Sequence, residues 1–211
     1  MECLQTYAHL QHAVDQLVRI EPRFNRIIDQ HGLPSLRSVE PGLKSLLRIV
    51  TDQLISLKAG EAIWRRLEVR LGDFDGRFIL ECPEAELRAL GLSGGKARTF
   101  HAAASFFSEF HKDELARMSN DEAVKTLTRI RGIGPWTADI YLLSAMSRAD
   151  AWPAGDLALQ VASQHLLGLP ERPGSKVMLA ISQPWRPVRS AAARLLWSHY
   201  RGLKGLDQRV I

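Results

Sequence analysis

Cysteine is nearly absent from this chain of 211 residues, with only Cys3 and Cys82 present. Two thiols exclude a disulfide framework and, within this chain, a four-cysteine zinc or iron–sulfur site. Such usage fits a reducing compartment. Long apolar runs are also missing. No stretch approaches the roughly eighteen residues of a membrane span, so no membrane partner is expected. The stretch Met1-Glu2-Cys3-Leu4-Gln5-Thr6 has neither a basic n-region nor an apolar core, and no signal peptide is expected. The expectation is a soluble intracellular protein, of the cytoplasm and nucleoid or of a nucleus. There is no Walker loop, dinucleotide fingerprint or zinc-protease motif. The seven histidines form no ligand set; His9 and His12 are spaced i, i+3 without a third partner. Internal repeats, low-complexity stretches and linkers are absent.

Hydrophobic residues make up 45% and charged residues 24%, which excludes wholesale disorder. The net charge of +5 is uneven. Residues 171–211 carry eight Lys/Arg against Glu171 and Asp207, a net of +6, and the first 170 residues balance to −1. A basic C-terminal fifth fits a polyanionic partner, and fits equally a solvated basic helix.

Apolar residues recur with the helical period almost throughout. Leu10, Val14, Leu17 and Val18 form one stripe, and Leu46, Leu47, Val50, Leu54 and Leu57 another. Further stripes run through Ile63–Leu67, Phe100–Phe107, Ala123–Ile130, Ile140–Met146 and Ala191–Tyr200. Glycine and proline punctuate the gaps, notably at Gly91–Gly95, Gly132–Pro135, Pro153–Gly155 and Gln183–Pro187. No convincing strand alternation exists, and Phe78-Ile79-Leu80 is too short to decide. The pattern predicts about ten helices in an all-α protein of two helical lobes.

The most informative stretch is Leu127-Thr128-Arg129-Ile130-Arg131-Gly132-Ile133-Gly134-Pro135-Trp136-Thr137-Ala138-Asp139-Ile140. A helix ending near Ile130 meets two glycines, and a new helix starts at Pro135, a residue suited to a first turn. The glycines permit positive φ and close backbone approach. The expectation is a helix–hairpin–helix whose backbone N–H groups and second-helix N-terminus hold a DNA phosphate without reading sequence, with Gly132, Gly134 and Thr137 as DNA-binding residues. An ordinary helix–helix turn is the plainer alternative.

The hairpin is followed by Trp152-Pro153-Ala154-Gly155-Asp156-Leu157-Ala158-Leu159, with Asp156 twenty-two residues after Gly134. Together these resemble the helix–hairpin–helix superfamily of base-excision DNA glycosylases, in the branch of DNA-3-methyladenine glycosylase II. The similarity runs from about Leu43 to Tyr200. It includes Asp52-Gln53-Leu54-Ile55-Ser56, Gly91-Leu92-Ser93 with Lys96-Ala97, and Trp185-Arg186-Pro187 leading to Arg189-Ser190 and Trp197. The extra N-terminal mixed α/β domain of the best-known members has no counterpart in the forty or so residues before Leu43. The resemblance implies one unit over 1–211 with an active-site cleft between its lobes. About 1–42 would be N-terminal helices, about 43–150 a lobe ending in the hairpin 127–140, and about 151–211 the catalytic loop and basic C-terminal helices.

The resemblance implies that Asp156 is catalytic. Breaking an N-glycosidic bond builds positive charge on the sugar, and a fixed carboxylate stabilises it. The plainer reading of Gly-Asp-Leu is a helix N-cap, and the two roles are compatible. Superfamily members that also cut the backbone place a Schiff-base Lys two residues after the second hairpin glycine; here that residue is Trp136, which implies a monofunctional enzyme. Trp136 and Trp185 are the expected base-pocket aromatics, with core packing as their alternative; Trp64, Trp152 and Trp197 default to core or rim. The implied pocket Tyr is replaced by Ile140, with Tyr141 on another face. Gln53 and Leu54 resemble the wedge that fills the stack vacated by a flipped nucleotide, or Leu54 lies in a buried helix face. Carbonyls of Thr128, Ile130 and Ile133 are implied ligands of a structural Na+ or K+. No other cofactor is required.

The expected activity is hydrolytic release of alkylated, cationic purines such as 3-methyladenine and 7-methylguanine from duplex DNA, by a monomer. Uracil, hypoxanthine or an oxidised purine as the released base is the alternative within enzymes. A non-catalytic DNA-structure-binding module is the alternative outside them.

Overall fold

Amphipathic segments too short to be stable alone gain helicity by burying one face, and this chain does so thirteen times among its described residues. The computed structural model describes residues 3–36, 39–110 and 112–206. In chain order the helices are α1 (Tyr7–Ile20), α2 (Asn25–His31), α3 (Leu43–Asp52), α4 (Leu57–Leu71), α5 (Gly76–Glu81), α6 (Glu84–Ala89) and α7 (Gly94–Glu109). They continue as α8 (Lys112–Arg117), α9 (Asn120–Leu127), α10 (Pro135–Ser144), α11 (Leu157–Leu167), α12 (Ser175–Ser182) and α13 (Arg189–Leu203). Short 3-10 turns sit at Pro22–Phe24 and Gln183–Trp185. The all-α expectation holds: among the described residues there is no strand, only an isolated bridge between Cys3 and Arg148. Phe78-Ile79-Leu80 is helical, inside α5, where Asp75 caps the N-terminus through the Arg77 and Phe78 amides. None of the helices described is long and apolar enough to cross a membrane.

The chain divides into two compact units, Val39–Met146 and a discontinuous one of Met1–Ser38 with Ser147–Ile211. The breaks fall near, not at, the expected 42/43 and 150/151, and the expected N-terminal and C-terminal parts form one unit.

In the unit Val39–Met146, α3 packs against α4, α7 and α10, and α9 against α10. Leu46, Leu47, Val50, Leu67, Phe100, Ala103, Leu127, Ala138 and Leu142 are buried there. Caps set the starts of these helices. Ser119 and Glu122 close a capping box on α9. Ser56 caps α4 and Ser93 caps α7. The helix α10 starts at Pro135 with no side-chain cap, so its first-turn N–H groups depend on something else.

In the other unit, α13 packs against α1, α2 and α11. Its Ala191, Ala192, Ala193, Leu195 and Leu196 are buried. Arg189 and Arg194 of the same helix are buried too. Arg189 makes a two-point ion pair with Asp150, at 2.7 and 2.8 Å. Part of the C-terminal basic excess is therefore internal, which weakens the charge pattern as a sign of a polyanion partner.

Candidate nucleic-acid interface and carboxylate site

The hairpin lies wholly within Val39–Met146. Helix α9 stops at Leu127, three residues before the expected Ile130. The chain then tightens through turns in which Ile130 N–H donates to Leu127 O at 3.1 Å and Ile133 N–H to Ile130 O at 3.0 Å. The two glycines have different grounds. Gly132 has φ +90, and a Cβ on it would stand 1.9 Å from Thr99 Oγ1, so the fold itself requires glycine. Gly134 has an ordinary φ of −96, and a Cβ there would meet nothing within 4 Å. Neither its backbone angle nor its surroundings demand glycine. Arg129 and Arg131 flank the turn and are exposed. Ile133 is buried, as a residue pinning the turn should be.

Thr137 departs from expectation. The whole residue is only 2% exposed, and its Oγ1 accepts a 2.8 Å bond from Gln53 Nε2. Thr137 therefore lies inside the packing, and the Gln53 amide is committed inward. Leu54 is the opposite case: it is not in a buried helix face. Helix α3 ends at Asp52, and Leu54 occupies the loop beyond with φ +56 and 105% relative exposure. A left-handed backbone costs a leucine about 1–2 kcal/mol, and full exposure of its side chain recovers nothing. Lys96 Nζ donates to Thr51 O at 2.8 Å and Gln53 O at 2.7 Å beneath this loop. Burial lowers the Lys96 pKa from its ordinary value, and the Asp52 charge opposes that shift.

Trp136, in the first turn of α10, is half-buried. Trp185 is not a pocket residue. Its ring is 2% exposed and stands edge-on to Phe24 at 5.2 Å and Trp152 at 5.5 Å, leaving no face for a base. Ile140 is half-buried. Tyr141 is buried and its hydroxyl accepts the Gly42 N–H at 2.9 Å; burial pushes its pKa up to about 12.

Asp156 lies in the other unit, as the N-cap of α11. Its Oδ1 accepts the Leu159 N–H at 3.0 Å and the Trp197 Nε1–H at 3.2 Å, fixing the carboxylate from two directions. The loop before it is clamped by the start of α13. Ser190 Oγ reaches the carbonyls of Arg148 at 2.6 Å and Ala151 at 3.0 Å. Ser190 N–H donates to Ala149 O at 3.0 Å, and Arg189 donates to Asp150 O at 2.9 Å. Gln160 Nε2 donates back to Ala154 O at 3.1 Å. Trp197 and the Arg189–Ser190 clamp were not expected from sequence as site residues. Their signal was present: Ser190 and Trp197 lie seven apart, on one face of α13.

Among the described residues no group of three or more His, Cys, Asp or Glu is placed to hold a metal ion.

A base-excision repair protein is the class these features define, and the comparisons agree. Residues 47–187 match the HhH-GPD superfamily of base excision DNA repair proteins, and the chain belongs to that family. It is 32% identical over 169 residues, 77% of this chain and 74% of the relative, to DNA-3-methyladenine glycosylase 1 of Schizosaccharomyces pombe. A putative DNA-3-methyladenine glycosylase of Bacillus subtilis is 28% identical over 90% of this chain and 69% of its own. The solved S. pombe 3-methyladenine DNA glycosylase in complex with abasic DNA superposes with a TM-score of 0.82 at 27% identity, covering 95% of this chain and all of that one.

Proposed function

We propose that this chain is a monofunctional DNA glycosylase that releases alkylated, cationic purines, 3-methyladenine and 7-methylguanine among them, from duplex DNA. The observation that carries the reading is the Asp156 carboxylate, held at the N-terminus of α11 by the Leu159 amide and the Trp197 indole in a chain of this family. In the reaction the C1′–N bond breaks and its electron pair neutralises the departing cationic base. The sugar becomes oxocarbenium-like, and the pinned carboxylate stabilises that charge. Water adds to C1′ and its proton passes to Asp156 or to solvent. An abasic site remains.

The cationic base needs no protonation to leave, so the pocket need only recognise charge. Trp136 offers a ring for that, with cation–π attraction of about 0.5–2 kcal/mol. Leu54 is the wedge that fills the vacated stack, and burying it there recovers about 1.5–3 kcal/mol. Gly132, Gly134 and the α10 N-terminus cradle a backbone phosphate. The carbonyls of Thr128, Ile130 and Ile133 suit a Na+ or K+, because each carbonyl oxygen is a hard donor with two lone pairs and Ile130 spends only one on Ile133. Such an ion would stiffen the turn and take no part in bond breaking.

The test is a panel of duplexes each carrying one lesion, with products analysed before and after alkali. Release of alkylpurines, strand breaks only after alkali, and no borohydride-trapped adduct are expected. Preference for uracil or 8-oxoguanine, a trapped adduct, or binding without release would each overturn the assignment.

A further inference from the structure

Leu54 holds a left-handed backbone conformation while its side chain makes no packing contact that could repay it, so the loop must be held from elsewhere. The main restraint comes from α7. Lys96 Nζ bridges the carbonyls of Thr51 and Gln53, which bracket the C-terminal end of α3 immediately before Leu54. These are carbonyls without a helical partner, and a cation at a helix C-terminus both satisfies them and complements the helix dipole. On its own helix Lys96 is badly placed. It is the third residue of α7, where the positive dipole end disfavours an ammonium, and it is partly buried. The siting makes sense only through what the ammonium grips. A second restraint is the Gln53 amide donated to Thr137 Oγ1 in α10.

We infer that Lys96 is the positioning residue for the wedge: by bridging Thr51 O and Gln53 O it holds the loop in the conformation that projects Leu54 before DNA arrives. The inference rests on the wedge reading of Leu54 given above. Lys96 itself touches neither base nor sugar. Its effect must therefore appear only when a paired nucleotide has to be displaced, and must operate through Leu54.

The experiment is single-turnover excision by wild type, Lys96→Met, Leu54→Ala and the double variant. The alkylpurine that wild type releases fastest is presented in a fully paired duplex and in a single-nucleotide bulge, where unpairing is already done. Both single variants should lose about tenfold or more on the paired duplex and less than about threefold on the bulge. The double variant should match Leu54→Ala, since two changes on one device do not add. If Leu54→Ala is unaffected on the paired duplex, the wedge reading falls and this inference with it. If Leu54→Ala behaves as expected, three results overturn the Lys96 role alone: an intact Lys96→Met, losses that multiply in the double variant, or an equal Lys96→Met loss on the bulge.

Discussion

The two hairpin glycines should fail in opposite ways when given a methyl group. Gly132→Ala puts a Cβ on a residue with φ +90, which costs about 1–2 kcal/mol. The same Cβ would lie 1.9 Å from Thr99 Oγ1 and 3.0 Å from Thr99 Cβ. Thr99 cannot yield freely, because it is buried and donates to Gly95 O at 3.0 Å inside α7. Overpacking of that kind costs a further 1–3 kcal/mol or so. The total, about 2–5 kcal/mol, corresponds to a thermal midpoint lower by roughly 5–20 °C in a chain of this size. Thr99→Ala should return part of that loss. Gly134→Ala has φ −96 and open space, so stability should hold or rise by about 0.4–1 kcal/mol. Its loss should be in DNA binding. One phosphate contact to a backbone N–H, worth about 1.5–3 kcal/mol, is about 10- to 150-fold in affinity. Thermal unfolding and fluorescence anisotropy on a lesion-free duplex, at two salt concentrations, measure both. A Gly134→Ala protein that melts as early as Gly132→Ala, or that binds duplex like wild type, would rule out separate roles for the two glycines.

Three further outcomes follow from the geometry. Trp136→Ala should slow release of 7-methylguanine more than of neutral hypoxanthine, by the cation–π share of about 0.5–2 kcal/mol; equal slowing would assign Trp136 to packing. Ser190→Ala leaves the Arg148 and Ala151 carbonyls without their hydroxyl partner, so stability should fall by about 1–3 kcal/mol, with kcat reduced more than affinity because the Asp156 loop loosens; unchanged melting would show that the clamp is redundant. His199 is pushed down to about 4 by burial first and by His165 and His31 next, so its folded form resists a proton that the unfolded chain accepts near 6.5. Its contribution should erode stability as pH falls from about 6.5 toward 4 and add nothing below; His199→Phe should melt with a shallower dependence in that window, and an unchanged slope would contradict the assignment.

The helical architecture was legible because apolar spacing at Leu46, Leu47 and Val50, or at Ala123 and Leu127, matches one period over several turns. The tight turn at Gly132 and the N-cap at Asp156 were legible because glycine and a Gly-Asp-Leu start constrain the backbone locally, whereas the catalytic reading of Asp156 came only from the family resemblance. What failed was tertiary. Leu54 fits the stripe of α3 by spacing, yet the helix ends two residues earlier, where Lys96, forty-two positions from Leu54 in sequence, donates to the Thr51 and Gln53 carbonyls. Trp185 and Trp197 are indistinguishable as residue types. Only packing shows that one faces Phe24 and Trp152 while the other donates to Asp156. Arg189 and Arg194 raised the C-terminal charge count although burial removes them from the surface.

The role proposed for Asp156 is to carry the chemistry of base release. It is tested most directly by comparing wild type with Asp156→Asn in single-turnover release of 7-methylguanine, alongside the affinity of each for the same duplex. Asn keeps the shape and an acceptor oxygen for Leu159 and Trp197 but removes the charge. Release should slow by about a hundredfold or more while affinity stays within a few-fold, since the charge acts on the transition state. An Asp156→Asn protein that keeps more than about a tenth of the wild-type rate would contradict it.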